Sequence, residues 1–426
     1  MKSLAFIIYD IIWLFLIGLS VPFYVFKRKF NLSVFLSRLS LAVSLRHNKE
    51  KSIWIQAVSV GEVLAVKSLV EELKRKFPYR IVISTTTVTG KKVADRVYKG
   101  KAYIVSFPFD MTLSVRRIID IINPKIFIAV ETEFWPNLFY HLHRKKIPIV
   151  VLNGRISDEA YSRYRKIKFV TKKIFSLCSY IGVQNDLYLK RFIMLGADSG
   201  RITISGNVKF ANLSVDKERL KEFQEKYVHL LRPKDKFLFI AASTHNKEEK
   251  VILDVYESLK SKIHLNLLIA PRHPERVKEV EKEVRRRGIV PLRISIVAED
   301  RNIFDSSVFI LDTVGDLFYF YYIADVCFVG GSLFNYGGHN ILEPLYFSKP
   351  TLFGPYMSNF REVEEIVLKN KAALKVYNRR ELEYYVEKII FDDNLKRELA
   401  NNAINIFKEQ EKLIKKNIEI ISRYLS

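Results

Sequence analysis

Cysteine is nearly missing from this chain of 426 residues: Cys178 and Cys327 lie far apart in apolar contexts, with neither metal-ligand nor redox spacing. They read as two buried thiols in a reducing compartment. No G-x-G-x-x-G follows the first strand and no Walker A sequence occurs, which argues against a dinucleotide site and a P-loop. No small-x-small cleavage site follows the amino-terminal apolar segment, which speaks against a removed signal peptide. Internal repeats and low-complexity tracts are absent. Acidic side chains are scarce, 46 against 70 basic ones, giving a formal net charge of +24. The partners to expect are therefore anionic: nucleic acid, acidic lipid headgroups or phosphorylated small molecules.

Apolar residues make up 49% of the sequence, enough for two or three domains with proper cores. Residues 3–26, "SLAFIIYDIIWLFLIGLSVPFYVF", carry one charge, Asp10. As a helix they would extend about 36 Å, sufficient to cross a bilayer core. Lys27, Arg28 and Lys29 follow while only Lys2 and the amino terminus precede, so the positive-inside bias puts the rest of the chain in the cytoplasm. Asp10 and Pro22 leave a second reading open, a helix lying in the membrane interface.

From residue 52 onwards, short apolar or β-branched runs alternate with more polar helical stretches: "SIWIQAVSV", "RIVISTTT", "AYIVSF", "KIFIAVE", "IPIVVLN" and "YIGVQ". This alternation predicts parallel α/β structure. After Glu62, the residues Val63, Val66, Val70 and Leu73 fall on one helical face, and Lys74 to Pro78 end the element. Charge rises and a proline enters over 223–236, predicting a linker, after which "FLFIAAS", "LNLLIAP" and "VFIL" restart the alternation. The expected organisation is a hydrophobic anchor over 1–30, a Rossmann-like domain over 50–225, a second over 230–400, and a helix over 401–426 packing back on the first. Two such domains facing a cleft bind ligands at strand C-termini.

The polar motifs fall at such ends. Glu62 follows Gly61 where a strand gives way to a helix, a place that the helix dipole alone explains. "VETEFWPN" puts Glu131 and Glu133 at i and i+2, on one face if the strand continues, where like charges raise a pKa unless cations balance them. "GNVKF" supplies a cation, Lys209, which in so basic a chain is also readable as a solvated surface lysine. "APRHPER" sets Pro271 and Arg272 at a helix start suited to an anion, or is a surface arginine among prolines. "LDTVGDL" turns through Gly315, exposing the backbone of Val314, Gly315 and Asp316, as an ordinary turn also would. "FVGGSLFNYGGHNILEP" carries paired glycines, then His339, Asn340, Ile341, Leu342 and Glu343. A capping box explains Asn340 and Glu343; a ribose diol facing a first-turn glutamate explains them as well.

Taken together, "SVGE", "ETEFWPN", "NGRIS", "GNVKF", "STH", "PRHPER", "DTVGDL", "GGS" and "GGHNILEP", in this order over nearly the whole chain, resemble the 3-deoxy-D-manno-octulosonic acid (Kdo) transferase family. The resemblance implies an inverting GT-B glycosyltransferase that adds Kdo from CMP-Kdo to a phosphorylated lipid A precursor, with the acceptor in the amino-terminal domain. It implies Glu62 as general base, Glu131 and Lys209 as transition-state stabilisers, and CMP contacts at Pro271, Arg272, Val314 to Asp316 and Asn340 to Glu343. Asp316 stands where a glutamate is expected. No cofactor and no metal are implied, in keeping with the lack of any Asp-x-Asp, and the place implied is the cytoplasmic side of the inner membrane, held by a single amino-terminal anchor. On that reading the basic surface, including "YSRYRKIKFVTKKIF", holds the leaflet and no nucleic acid binds. The rivals are another GT-B glycosyltransferase, a nucleotide-sugar epimerase, and an anchored basic protein binding phospholipid or nucleic acid.

Overall fold

A computed structural model describes residues 2–26, 31–43, 45, 50–297 and 306–425, and these divide into two compact units. One comprises Met1–Asn212 and Gln410–Ser426, the other Leu213–Glu409.

The first unit is built on seven parallel strands: β1 Ser52–Gln56, β2 Arg80–Thr85, β3 Tyr103–Ser106, β4 Pro124–Val130, β5 Ile149–Gly154, β6 Tyr180–Val183 and β7 Ile202–Ile204. Their order is β3-β2-β1-β4-β5-β6-β7. Helices cover both faces, so the strands are apolar on both sides and show no alternation; Ile53, Trp54 and Ile55 are all fully buried. The crossover from β1 to β2 shows how the pattern works. Val63, Val66, Val70 and Leu73 are buried as their spacing predicts, although the helix breaks at Val66 into Val60–Ala65 and Lys67–Lys76. Phe77, the residue before Pro78, is extended and ends the second helix.

In the second unit the strands are β8 Phe237–Thr244, β9 Leu265–Pro271, β10 Leu292–Arg293, β11 Val308–Ile310, β12 Val326–Val329, β13 Thr351–Phe353 and β14 Leu374–Lys375. They are again all parallel, in the order β10-β11-β9-β8-β12-β13-β14. The chain direction across each sheet reverses beside the first strand, between β1 and β4 in one unit and between β8 and β12 in the other. Open α/β sheets open a crevice at that place, beyond the carboxyl ends of the strands.

The passage between units falls at Asn212/Leu213, ahead of the expected linker over 223–236. The charge rise there belongs to the exposed face of the helix Lys217–Leu231, whose Phe223, Leu230 and Leu231 are buried with Phe320 and Tyr319 in the second core. The carboxy-terminal helix is a single element, Asp393–Leu425, and its residues belong to the first unit from Gln410 onward. There Ile418, Ile421 and Leu425 join a core cluster under β1 and β4, while the Asn417 amide donates to Ser205 O.

The amino-terminal helix Lys2–Phe26 packs on the first unit through aromatic as well as polar side chains, Phe6 against Tyr140 and Trp13 against Phe109. Its inner face is tied to the first unit by polar contacts: Tyr9 donates to Asp110 (3.1 Å), and Asp10 Oδ1 accepts from Thr112 N (3.0 Å) and Asn137 Nδ2 (2.8 Å). Its outer face presents Ile7, Ile8, Ile11, Ile12, Leu14, Phe15, Leu16 and Leu19. Among the described residues no helix is long and apolar enough to cross a membrane, so the span expected over 3–26 is not supported. Asp10, the single charge that qualified that expectation, is a docking residue. Lys27, Arg28 and Lys29, which carried the orientation argument, lie outside the described residues. Cys178 and Cys327 are both buried free thiols, and burial pushes Cys178 up to about 12.

Candidate active site

In the first unit the switch point between β1 and β4 gathers three carboxylates. Glu62 sits at the third position of the helix Val60–Ala65 behind the N-cap Ser59 and folds back on its own turn. Its Oε2 accepts from Val58 N (2.8 Å) and its Oε1 from the Ser59 hydroxyl (3.0 Å). Each oxygen keeps a further lone pair. The side chain is buried. Burial pushes its carboxyl up to about 7, and the Glu131 charge acts in the same direction. The donors Val58 N and Ser59 Oγ and the charge of Arg155 pull it back only in part. Helix-terminus stabilisation of the anion thus loses to desolvation, leaving a carboxylate with the basicity of a neutral-pH proton acceptor.

Glu131 follows directly on β4, with φ at +63°. The left-handed backbone ends the strand, so the period-two argument that put Glu131 and Glu133 on one strand face does not apply; a tight turn brings them near Glu62 instead. A left-handed non-glycine residue at a strand end is a strained conformation of the kind that clusters at functional sites. Glu131 Oε2 accepts from Arg155 Nε at 2.7 Å. Arg155 lies just beyond β5, the strand beside β4. Glu133 accepts from Trp135 Nε1 (2.8 Å); burial pushes its carboxyl up to about 7, and the charges of Glu62 and Glu131 add to the rise.

The rest of "ETEFWPN" is structural support. Phe134 packs against Phe175 and Phe192, and Trp135 against Phe107. Asn137 bridges Asp10 and Asp110. Lys209 lies half-buried in the 3₁₀ turn Val208–Asn212, which packs beside the Glu62 helix. That turn is held by Val208 N to Asn153 Oδ1 (3.3 Å), Lys209 N to Asn207 Oδ1 (3.0 Å) and Asn207 N to Gln410 Oε1 (2.8 Å).

The second unit gathers its motifs at the ends of β8, β9, β11 and β12. Pro271 closes β9, and Arg272, exposed, donates its N–H to Thr244 O at 3.0 Å. Gly315 has φ +93°, and Val314 beside it is 81% exposed, so this turn does present backbone. Asp316 Oδ1 is engaged by Arg219 Nη2 at 2.7 Å. Asn340 Nδ2 donates to Glu343 Oε1 (3.0 Å) and Asn340 Oδ1 accepts from Leu342 N (3.2 Å), a closed local turn leading into the helix Leu342–Tyr346. Ile341 and Leu342 are buried beneath it. Burial raises the Glu343 carboxyl above its ordinary value, against Asn340 and the charge of Arg272.

Sequence reasoning missed two side chains here. Glu248, fully buried, accepts four backbone N–H groups: Gly331 (2.7 Å), Ser332 (3.0 Å), Leu333 (3.0 Å) and His245 (2.9 Å). It staples the β8 turn to the "GGS" loop across the switch point. Glu249 accepts from Thr244 Oγ1 (3.0 Å) and from Arg276 (2.7 Å), tying in the loop after β9. The signal was the pair of acids that follows "STH" after two intervening residues, which reads as an ordinary acidic first helical turn.

Residues 35–212 match the family described as 3-Deoxy-D-manno-octulosonic-acid transferase (kdotransferase). The 3-deoxy-D-manno-octulosonic acid transferase of Haemophilus influenzae is 33% identical over 378 residues, covering 88% of this chain and 87% of that protein. A bifunctional glycosyltransferase/methyltransferase of Fusobacterium nucleatum is 34% identical over 372 residues; the match covers 87% of this chain but 56% of the relative's own length. The fold recurs in the UDP-GlcNAc 2-epimerase of Neisseria meningitidis, with a TM-score of 0.59 at 13% identity over 86% of this chain and all of that one. At such identity the likeness speaks to architecture alone, and the architecture is GT-B. With a third of its residues shared across most of both chains with the Haemophilus transferase, this chain belongs to the Kdo transferase family of glycosyltransferases.

Proposed function

We propose that this transferase moves Kdo from CMP-Kdo to a phosphorylated lipid A precursor, with inversion, without a metal ion, and with Glu62 as general base. The observation that carries the reading is the environment of Glu62: a buried carboxyl raised to about 7 beside Glu131 at the sheet's switch point. Attack by a sugar hydroxyl on the anomeric carbon forms one C–O bond while the C–O bond to the CMP phosphate breaks. Glu62 takes the hydroxyl proton, and CMP leaves with the electron pair on its phosphate. An oxocarbenium-like centre passes between, and Glu131 supplies negative charge to it; glycosidases answer the same two demands with paired carboxylates. Arg155, 2.7 Å from Glu131, holds that carboxylate in place for the role. Lys209, Arg272 and the backbone N–H groups of Val314 to Asp316 oppose the charge that grows on CMP. Asn340, Ile341, Leu342 and Glu343 form the turn that receives the nucleotide, with Pro271 setting the end of β9.

The acceptor's phosphates and its lipid fit the first unit's surface. The helices Asp158–Lys166 and Lys168–Phe175 expose Arg163, Arg165, Lys166, Lys168, Lys172 and Lys173 around Phe169, which is 77% exposed. Tyr164 in the first of them feels the charge of Glu133, which supports a role for these helices near the carboxylates. With its apolar face outward, the amino-terminal helix suits the headgroup boundary of the cytoplasmic leaflet, where acidic lipids attract a basic protein.

Incubating the purified protein with CMP-Kdo and a lipid A precursor, with and without EDTA, tests the reading. Kdo transfer unaffected by EDTA, with the opposite anomeric configuration in the product, is expected; no transfer, or retention, overturns it.

A further inference from the structure

Three motifs that the proposed chemistry leaves unexplained meet at one point of the second unit: "STH", "GGS" and the histidine of "GGHN". His245 Nε2 and His339 Nε2 are 2.8 Å apart, and the rings are nearly coplanar in orientation, 5° apart with centroids at 5.1 Å. Tyr336 stacks on His245 at 4.3 Å and 13°. The contact depends on Gly331, whose φ is +68°; a Cβ there would meet His339 Cδ2 at 2.8 Å and Nε2 at 2.9 Å. Gly331 is in turn fixed by Glu248, which also holds His245 N.

A hydrogen bond between two imidazole nitrogens needs one donor and one acceptor. One ring must carry its proton on Nε2 and the other must leave Nε2 bare, so the pair has a defined tautomeric state. The titratable and charged groups around it are Arg272, His273 and Arg276 from the loop after β9, with Glu248 at the His245 backbone. The His273 ring stands edge-on to His245 at 5.7 Å. Burial comes first in pushing His339 down to about 4, followed by His245 and Arg272, and burial likewise leads in lowering His245 below its ordinary value, with Arg276 and Arg272 acting in the same direction. At neutral pH both rings are therefore uncharged, and the bond between them is of the neutral kind. His339 adjoins Asn340, the first residue of the turn assigned to the nucleotide. His245 ends the β8 turn on the other side of the switch point. The pair is thus a clasp between that turn and the sheet, with the exposed Arg272 coupled to both rings and to Glu343.

We propose that His245 and His339 are positioning residues for donor binding, their imidazole–imidazole hydrogen bond holding the Asn340–Glu343 turn in the conformation that receives the nucleotide. The inference rests on the CMP-Kdo reading above. No group of three or more His, Cys, Asp or Glu among the described residues is placed to hold a metal ion, so the three histidines gathered here do not amount to a metal site.

The test is CMP binding by titration calorimetry, with steady-state kinetics in CMP-Kdo, on wild type, His245→Ala, His339→Ala, the double variant and His339→Gln. Each alanine variant should raise Kd for CMP and KM for CMP-Kdo about tenfold while kcat stays within about twofold, because a clasp acts on binding. The double variant should lose no more than the worse single one, since either change opens the same bond. His339→Gln, whose amide can donate or accept, should recover most of the affinity. In the wild type, 15N shifts should show opposite tautomers for the two rings. Unchanged Kd in folded single variants, multiplicative losses in the double, a fall in kcat with Kd unmoved, or matching tautomers overturn the proposal. Wild-type protein that fails to bind CMP overturns the donor reading and this inference together, whereas wild-type binding with indifferent variants overturns this inference alone.

Discussion

Replacing Glu62 by Gln should cut transfer by about 100-fold or more and yet stabilise the protein, by an amount that depends on pH. The carboxyl is raised from 4.5 to about 7 in the folded chain, and an unfolded chain restores the ordinary value. Between these two values the folded state holds the proton more tightly, so stability falls as pH rises through the window, and above 7 the cost of the buried anion is complete. From the separation of the two values that cost is about 3 kcal/mol at pH 8 and about 1 kcal/mol at pH 5. Glutamine never ionises. It keeps one oxygen for Val58 N or the Ser59 hydroxyl and turns an amide to the other, losing about 1 kcal/mol of hydrogen bonding. The net gain is about 2 kcal/mol at pH 8 and about zero at pH 5. For a unit of this size that corresponds to a Tm higher by about 4–8 °C at pH 8 only. Calorimetric unfolding of wild type and Glu62→Gln at both pH values reads the difference. A variant no more stable than wild type at pH 8, or equally stabilised at both, refutes the argument that burial dominates the Glu62 environment. Relief of the charge that Glu62 exerts on Glu133 acts in the same direction.

The acid limb of the rate profile should lie at about 7 in the wild type, from the carboxyl of Glu62. It should move upward in Arg155→Ala and downward in Glu131→Gln, since the first charge favours the Glu62 anion and the second opposes it; limbs that coincide in all three proteins contradict the assignment. Glu248→Ala strands four buried N–H groups and should destabilise the second unit by about 3–5 kcal/mol, whereas Glu248→Gln, with one acceptor oxygen left, should cost less; denaturant unfolding distinguishes them. Ile11→Asp combined with Phe15→Asp on the outward face of the amino-terminal helix should weaken sedimentation with anionic vesicles more than tenfold, from about 1.5–3 kcal/mol of apolar burial lost per residue, without changing the melting temperature; unaltered vesicle binding removes that helix from the membrane reading.

Much of this architecture can be read along the chain. Strands covered on both faces must be apolar without alternation, so "SIWIQ" and "KIFIAV" declare a parallel sheet before any contact is known. The placement of motifs at strand ends follows from the same pattern: Glu62 lies in the helix that follows β1, and Glu131 directly follows the neighbouring strand β4. What the sequence leaves open is partner choice. Arg155 stands 24 residues beyond Glu131, and it becomes a partner because β5 lies beside β4, which puts the residues after two parallel strands within reach of one another. Glu248 looks like a first-turn helix acid, and its four N–H groups come mostly from a loop over 80 residues away. Asp10 reads as a flaw in an apolar segment until Thr112 N and Asn137 are brought to it by the fold. In each case a polar residue was visible and the contact that explains it was not, because the contact joins elements that only the sheet order makes adjacent.

The most direct test of the central claim is transfer from CMP-Kdo to a lipid A precursor, compared between wild type and Glu62→Gln at pH 8, where the wild-type carboxyl is ionised. With Glu62 as the base, turnover in the variant should fall by about 100-fold or more while CMP binding is unchanged. A folded Glu62→Gln protein that transfers Kdo at the wild-type rate contradicts the account.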